Sequence, residues 1–294
     1  IEATVAPLDR QRVYHRELRE KITDFGFTEV YNYSFVSEEI VAPFGFVLGD
    51  HVHVLNPIAS DQAMLRTSLL PGIRKNILDN SRYFHSFRLF EIGREYHKRS
   101  GGLPEEIPHL VAAIYSRGDG ADGLFELKGV AEALLENCET KPTQARAFEH
   151  PHRAAEITLN GQVTGRLFEL HPSLIAEGRA AVLDLDLAVT LRLQQSAKRY
   201  KPLRRFPASS FDLSVVTGDR EHADEVSKQL AALAGDLLIE IEYLRQFDLG
   251  ENRKSLSYRL TFGAPDRTLS SDEVNSARSA LIEGMRSRGY ELRV

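Results

Sequence analysis

The segment FRLFEIG (87–93) carries an arginine and a glutamate, side chains that could bind ATP and orient an attacking carboxylate. Such a pair acts together only if both side chains lie on one face of a strand. Successive side chains of a strand alternate between its faces, so the spacing must be even. Arg88 and Glu91 are three positions apart. We therefore predict that they lie on opposite faces and cannot work together.

Histidines are the next candidates, because imidazole is a common zinc ligand. His150 and His152 flank Pro151 ahead of Arg153, and His171 follows. Two histidines flanking a proline seldom converge on one ion, so we predict a loop before a strand and no metal site. The other two histidines considered are predicted to alternate along a strand edge; they are His51 and His53.

The chain has a single cysteine, Cys138, so neither an intramolecular disulfide nor a multi-cysteine zinc site is possible. A single cysteine fits a protein of the reducing cytoplasm. We predict that Cys138 is a small buried side chain on a helix. The sequence contains no P-loop, no GxSxG motif and no context for a catalytic cysteine. It therefore does not support the hypothesis that the chain is an independent enzyme.

The net charge of −5 does not indicate a nucleic-acid-binding protein. One stretch, residues 187–211, has six basic residues and no Asp or Glu. A solvated interdomain linker and a phosphate-binding segment explain it equally well. No apolar run is long enough for a membrane span, and no signal peptide is recognisable. Because the chain opens at Ile1 rather than Met, we expect an excised fragment.

Periodicity predicts the elements that position these residues. Residues 9–25 form an amphipathic helix with Asp9 as its cap and Phe25 on its apolar face, and 124–138 form a second helix. The hairpin 155–167 turns at Asn160-Gly161. Further strands are predicted at 28–35, 87–93, 110–115 and 181–187.

The last 85 or so residues predict the order βαββαβ. Strands at 211–217, 238–247 and 254–262 and a final YELR strand alternate with helices, one at 223–235 and one that starts with the capping pair Ser270 and Glu273. Two amphipathic helices on one sheet face give a ferredoxin-like sandwich. The open face of the central strand offers Ser257, Arg259 and Thr261 and no aromatic side chain, which favours phosphate contact over base stacking.

A family resemblance adds to this picture. LNPIASDQAMLRTSLLPG (55–72) and FRLFEIG (87–93) closely resemble the C-terminal portion of the beta subunit of bacterial phenylalanine–tRNA ligase. Further segments resemble that subunit in the expected order. They are FELKG (125–129), HPHRAAEITLNGQVTGRLFELHP (150–172), VLDLDL (182–187), FP (206–207), FDL (247–249), KSLSYRLTF (254–262) and PDRTLSSDEVN (265–275).

The resemblance implies an α+β chain in three parts. Residues 1–197 would be a non-catalytic module with the antiparallel sheet and flanking helices of class II synthetases. Residues 198–206 would be a basic linker, and 207–294 a ferredoxin-fold anticodon-binding domain. In class II enzymes a second arginine follows a glycine-rich strand, but VLDLDLAVTLRL (182–193) has Arg192 and no glycine.

The resemblance also implies partners. The alpha chain of an α2β2 assembly would bind ATP and phenylalanine. The assembled enzyme would use ATP and magnesium, and this chain would hold no cofactor. It would help to bind tRNA(Phe). The family's editing domain and its beta-subunit magnesium site are expected upstream of Ile1.

Two sets of site residues follow from the resemblance. The first is expected to shape packing against the alpha chain, with an internal loop and helix start as the alternative; it comprises Asn56, Pro57, Arg66, Thr67, Ser68, Pro71 and Gly72. The second is expected to contact tRNA phosphates, with solvated charges as the alternative; it comprises Lys254, Arg259, Arg267, Lys198, Arg199, Arg204 and Arg205.

The sequence departs from the family in two places. FPASSFDL lacks the usual basic residue before Asp212, and the loop Gly250 to Arg253 is short. A free-standing paralogue that regulates or binds RNA therefore stays open as an alternative. Co-expression with an alpha chain separates the two.

Overall fold

The chain forms two units, and each contains its own sheet. The computed structural model describes residues 7–57, 59, 62–118, 120–194 and 203–293. Chain contacts group Ile1–Ala197 into the first unit and Lys198–Val294 into the second. Each unit is described by itself below.

The first unit is built on a seven-stranded sheet in the order β1-β4-β5-β9-β8-β7-β6. Neighbouring strands are antiparallel except for β1, which runs parallel to β4. The strands are β1 (Thr28–Glu29), β4 (Ser86–His97), β5 (Glu105–Ser116), β6 (Cys138–Pro142), β7 (Glu149–Leu159), β8 (Gln162–Leu170) and β9 (Arg179–Asp186). A small separate sheet pairs β2 (Phe35–Val36) with β3 (Met64–Leu65).

Helices cover both faces of the large sheet. One apolar core lies under α1 (Arg10–Asp24), α4 (Gly123–Leu134) and α5 (Leu187–Leu193). The other lies under α3 (Leu70–Asn80), and the short α2 (Glu38–Val41) belongs to a small cluster nearby. Within the described residues no helix has both the length and the apolar character needed to cross a bilayer.

The predicted hairpin is confirmed. Strands β7 and β8 are joined by Asn160 (φ 52°) and Gly161 (φ 78°), the two positive φ values of a tight primed turn. The cap of α1 is also confirmed, since the Asp9 carboxylate accepts hydrogen bonds from two backbone N–H groups. Phe25, however, follows the helix and is 38% exposed, so its predicted inward position is wrong.

Two predicted elements differ from the structure. The segment 28–35 is not one strand: β1 and β2 are separated by a loop in which Tyr31 and Tyr33 are 77% and 78% exposed. The helix predicted to end at Cys138 ends at Leu134. Asn137 (φ 61°) then reverses the chain, so half-buried Cys138 begins β6 instead of lying on a helix.

The second unit has the predicted βαββαβ order. Its sheet runs β11-β12-β10-β13, and both helices pack on one face over a core that includes Leu256, Tyr258 and Leu260. The capping box of Ser270 and Glu273 is confirmed. The elements are β10 (Ser209–Gly218), α6 (Ala223–Ala234), β11 (Leu238–Gly250), β12 (Arg253–Phe262), α7 (Ser271–Ser287) and β13 (Glu291–Arg293).

A β-bulge interrupts β11. Tyr243 pairs with Tyr258 and Arg245 with Ser257, so Leu244 is an extra residue in β11. Tyr243 therefore faces the helices, whereas Arg245 faces the opposite side of the sheet.

Gly165 of β8 tests how closely the strands of the first unit must approach. A Cβ there would lie 2.2 Å from the Asp184 carbonyl oxygen and 2.7 Å from Leu185 Cδ2. We expect Gly165→Ala to destabilise the chain by roughly 1–3 kcal/mol, because β8 must move away from β9. Urea unfolding measures this change.

The control is Gly129→Ala in α4, where nothing lies within 4 Å of the added Cβ. This substitution should stabilise the helix by about 0.5–1 kcal/mol. Equal effects at the two positions would contradict the steric argument.

Candidate functional site

Arg88 and Glu91 lie on opposite faces of β4, as predicted. Arg88 pairs on the surface with Glu126 of α4, at 2.5 Å. Glu91 faces the other way and is 2% exposed. The two side chains therefore cannot hold one nucleotide between them.

Glu91 instead forms a buried ion pair with Arg66. Arg66 Nη1 donates to Glu91 Oε1 at 2.7 Å, and Arg66 Nε donates to the Arg94 carbonyl at 2.9 Å. The second Glu91 oxygen accepts from Asn32 Nδ2 at 2.8 Å, and Asn76 of α3 donates to Asn32 Oδ1. These contacts, called the Arg66–Glu91 network below, connect β4, α3 and the loop before β2.

Two glycines leave room for this network. A Cβ on Gly93 would lie 2.3 Å from Arg66 Nη2, and a Cβ on Gly72 would lie 2.9 Å from Asn32 Cγ. Both glycines are thus required by the close approach of polar side chains.

The proposed alpha-chain contacts divide into buried and exposed residues. Arg66 (5% exposed), Ser68 (9%) and Pro71 are buried, and they cannot touch a partner directly. Thr67 and Gly72 are partly buried. Pro71 and Gly72 lie inside the first turn of α3, which begins at Leu70. Only Asn56 and Pro57 among the seven are exposed.

The sheet face that carries Glu91 is rich in carboxylates, and these pair with the arginines on the same face. Asp184, Arg166 and Glu156 lie side by side across β9, β8 and β7. Arg166 donates to both oxygens of fully buried Glu149, at 2.8 and 2.6 Å, and lies 3.4 Å from Glu156. A triphosphate needs unpaired cationic donors, and these guanidinium groups are already paired.

A second polar group on this face lies where β4, β5 and β9 meet. His109 Nδ1 is 2.8 Å from Asp184 Oδ1, and His109 Nε2 is 3.4 Å from Glu95 Oε2. His97 Nε2 is 3.2 Å from the same Glu95 oxygen. These four residues are called the histidine–carboxylate cluster.

Charge and burial oppose each other in this cluster. Burial alone would lower the pKa of His109, but Asp184 and Glu95 raise it to about 9. Burial raises the pKa of Glu95, while the hydrogen bond with His97 opposes that rise. Sequence reasoning missed this cluster, since only the two-residue spacing of Glu95 and His97 on one strand face is visible along the chain.

The histidines considered from sequence are not brought together. His150 and His152 lie in β7 rather than in a loop before it, with ring centroids 6.2 Å apart, and His171 Nδ1 contacts the Ser173 hydroxyl. His51 is 1% exposed and its Nδ1 is 2.9 Å from the Leu65 carbonyl oxygen, so it is not on a strand edge. His53 bridges to Met64.

The proposed tRNA contacts of the second unit have different environments. Lys254 is 9% exposed and lies on the same sheet face as Leu256, not on the open face. Arg259 donates two hydrogen bonds to Asp212, at 2.8 and 3.0 Å, and this lowers the pKa of Asp212. Arg267 donates to Glu273 at 2.7 Å.

The basic segment before β10 is described only in part. Arg204 and Arg205 are exposed, and neither forms an ion pair with a carboxylate of the described residues. Lys198 and Arg199 lie outside the described residues.

The open face of the second sheet carries balanced charge and one aromatic ring. The central strand has no aromatic residue there, as predicted, but β11 adds Phe247, which is 66% exposed and pairs with Ser255. The charged side chains on this face are Arg245, Arg253, Arg259, Arg293, Asp212, Glu240, Glu242 and Glu291. Base stacking is thus available beside the central strand.

Comparison with known proteins relates these two units to a family. The model described as "Phenylalanyl tRNA synthetase beta chain CLM domain" matches residues 1–187. The chain belongs to the phenylalanine–tRNA ligase beta subunit family. The model described as "Ferredoxin-fold anticodon binding domain" matches residues 204–293. Both expectations drawn from the sequence, the family and the α+β fold, are confirmed.

Curated relatives agree with this family. A phenylalanine–tRNA ligase beta subunit from Solibacter usitatus is 53% identical over all of this chain, and one from Moorella thermoacetica is 32% identical over 94% of it. The chain spans 39% and 37% of the lengths of these relatives.

A solved structure supports the class II synthetase fold. Pyrrolysyl-tRNA synthetase from Desulfitobacterium hafniense matches 64% of this chain, and 74% of its own, with a TM-score of 0.51 and 14% identity. At this identity the likeness concerns the fold alone.

The beta-subunit motif around Arg66 can be tested by breaking its ion pair. Arg66→Met leaves Glu91 charged and buried without its partner, so we expect a loss of about 3–5 kcal/mol in the free energy of unfolding. The double variant Arg66→Met, Glu91→Leu should recover most of this loss. Urea unfolding at neutral pH measures both.

The control is Arg94→Met, because Arg94 pairs with Glu106 at the surface and its side chain is 57% exposed. Its effect should stay within about 1 kcal/mol. Additive effects of the Arg66 and Glu91 substitutions would show that the pair is not coupled.

Proposed function

We propose that this chain is a non-catalytic part of a phenylalanine–tRNA ligase beta subunit in the cytoplasm. It supports the alpha chain and helps to bind tRNA(Phe) during ATP-dependent phenylalanylation. One observation carries the non-catalytic role: the arginine and glutamate of β4 point to opposite faces, and Glu91 is held by Arg66. The family match favours this role over a free-standing paralogue.

The partner is an alpha chain in an α2β2 assembly. ATP and magnesium are used by the assembled enzyme, and this chain contributes no ligand to them. This assignment rests on the beta-subunit family and on the paired arginines, which leave the carboxylate-rich sheet face unsuited to a triphosphate.

The exposed loop Leu55 to Pro57 is proposed to contact the alpha chain. Leu55 is fully exposed, beside exposed Asn56 and Pro57. A large apolar side chain at the surface gains free energy when a partner covers it. Arg66, Ser68 and Pro71 act from inside the unit, by fixing the start of α3 and its contact with β4.

Co-expression with an alpha chain tests this function. Leu55→Glu should lower the amount of alpha chain that co-purifies, because a charge replaces a buried apolar contact. Leu103→Glu is the matched control, since Leu103 is also exposed (87%) and lies in the loop between β4 and β5. Equal losses in both variants would reject the loop as the contact. Formation of aminoacyl-adenylate by this chain alone would reject the non-catalytic role.

tRNA phosphates are proposed to contact the basic segment before β10. Arg204 and Arg205 are exposed, whereas the guanidinium groups of Arg259 and Arg267 are held by carboxylates. Exposed guanidinium groups can donate to phosphate without first breaking an ion pair. Arg259 and Arg267 would add weaker contacts, whereas buried Lys254 is not proposed as a contact. Lys198 and Arg199 belong to the same proposal from sequence alone.

The salt dependence of tRNA binding by the complex tests these contacts. Each phosphate contact contributes about one unit to the slope of log affinity against log salt. The variant Arg204→Ala, Arg205→Ala should therefore lower that slope by about two. The control, Arg220→Ala with Arg286→Ala, removes the same charge from exposed positions elsewhere in the unit. An equal change in the control would indicate a general charge effect and contradict the proposed contacts.

A further inference from the structure

The histidine–carboxylate cluster lies at a cavity of about 430 Å³ in the first unit. Glu95 and His97 are two apart on β4 and so share a face, and His109 of β5 pairs with Gly93 on that same face. Asp184 of β9 completes the group through its contact with His109. Three neighbouring strands thereby place imidazole and carboxylate groups around one point.

We propose that Glu95, His97 and His109 bind a zinc ion, with Asp184 orienting His109. In a tetrahedral zinc site with metal–ligand bonds of about 2.1 Å, neighbouring ligand atoms are roughly 3.4 Å apart. Here Glu95 Oε2 lies 3.2 Å from His97 Nε2 and 3.4 Å from His109 Nε2. The two imidazoles flank this oxygen, and zinc binding requires them to move toward each other.

Asp184 contacts His109 on the side of the ring that faces away from the proposed zinc ion. Its Oδ1 accepts from His109 Nδ1 at 2.8 Å, which leaves His109 Nε2 directed at Glu95. A carboxylate on the far nitrogen of a histidine ligand is the usual arrangement at protein zinc sites, because it fixes the tautomer and the ring orientation.

The charge around the cluster favours a divalent cation. Glu95, Asp184, Asp186 and Glu156 all line the cavity. Arg146 and Arg166 lie there too, and the Arg166 guanidinium is bound by Glu149 and Glu156. Arg146 and a protonated His109 would balance two of the three remaining carboxylates. Imidazole with carboxylate ligands suits zinc better than magnesium or calcium, which prefer oxygen ligands alone.

The cavity gives the ion a fourth position. The side chains of Glu95 and His109 are 7% and 16% exposed, whereas His97 is 39% exposed, so the site opens toward solvent beside His97. Water can complete a tetrahedron from that side. The ion would connect β4 to β5, and through Asp184 to β9.

Zinc titration of the metal-free 294-residue chain tests the site. We expect calorimetry to show a single equivalent of zinc bound, and cobalt in its place to give the visible bands of tetrahedral coordination. His97→Gln should abolish these bands and weaken zinc binding by more than about 10-fold, since it removes a ligand. His97 is partly exposed, so circular dichroism should show an unchanged fold. Asp184→Asn should weaken binding by about 10–100-fold.

The matched control is His152→Gln, an exposed histidine outside the cluster. This variant should bind zinc and cobalt as the unsubstituted chain does. Equal binding by the His97 and His152 variants would overturn the proposal. So would a folded chain that takes up no zinc, because the cluster would then be an ion pair between imidazolium and carboxylates.

Discussion

The buried ion pair between Arg66 and Glu91 is the interaction on which the first unit depends. Two opposite charges removed from water are stable only when hydrogen bonds satisfy their remaining atoms. Asn32 and the Arg94 carbonyl supply those bonds, and Gly93 makes the close approach possible. The pair thereby fixes the segment before α3 against the central strands. Arginine and glutamate, which are residue types that could bind a nucleotide, here stabilise the fold.

Pairing of arginines with carboxylates continues across the sheet and determines which ligands this face can bind. On the face that carries Glu91, Arg166 is bound by Glu149 and Glu156. This face would need unpaired cations to attract phosphate, but its arginines are neutralised by carboxylates of the same unit. Fold and activity are thus separable: the antiparallel sheet of a synthetase is kept, while the charges on it are used for internal packing.

Local pattern predicted most elements, because alternation and capping are properties of neighbouring residues. The alternation of β12 and the Asn160-Gly161 turn could be predicted in this way. Local pattern gave a wrong prediction at Tyr31 and Tyr33, which alternate as in a strand. Asn32 between them is instead bound to Glu91, 59 positions away. The histidine–carboxylate cluster was missed for a related reason, since Asp184 meets His109 only through the register of β5 with β9. Register between distant strands leaves no local trace in a sequence.

The bulge at Leu244 has a consequence for how this surface can evolve. With strict alternation after Tyr243, Arg245 and Phe247 would point toward the helices; the extra residue turns both outward. One inserted residue thus exchanges the inner and outer side chains from Arg245 to Asp248, where a further register shift follows. Such a change can give an outer strand a ring and a guanidinium for an RNA ligand while the central strand, and the core beneath it, keep their sequence.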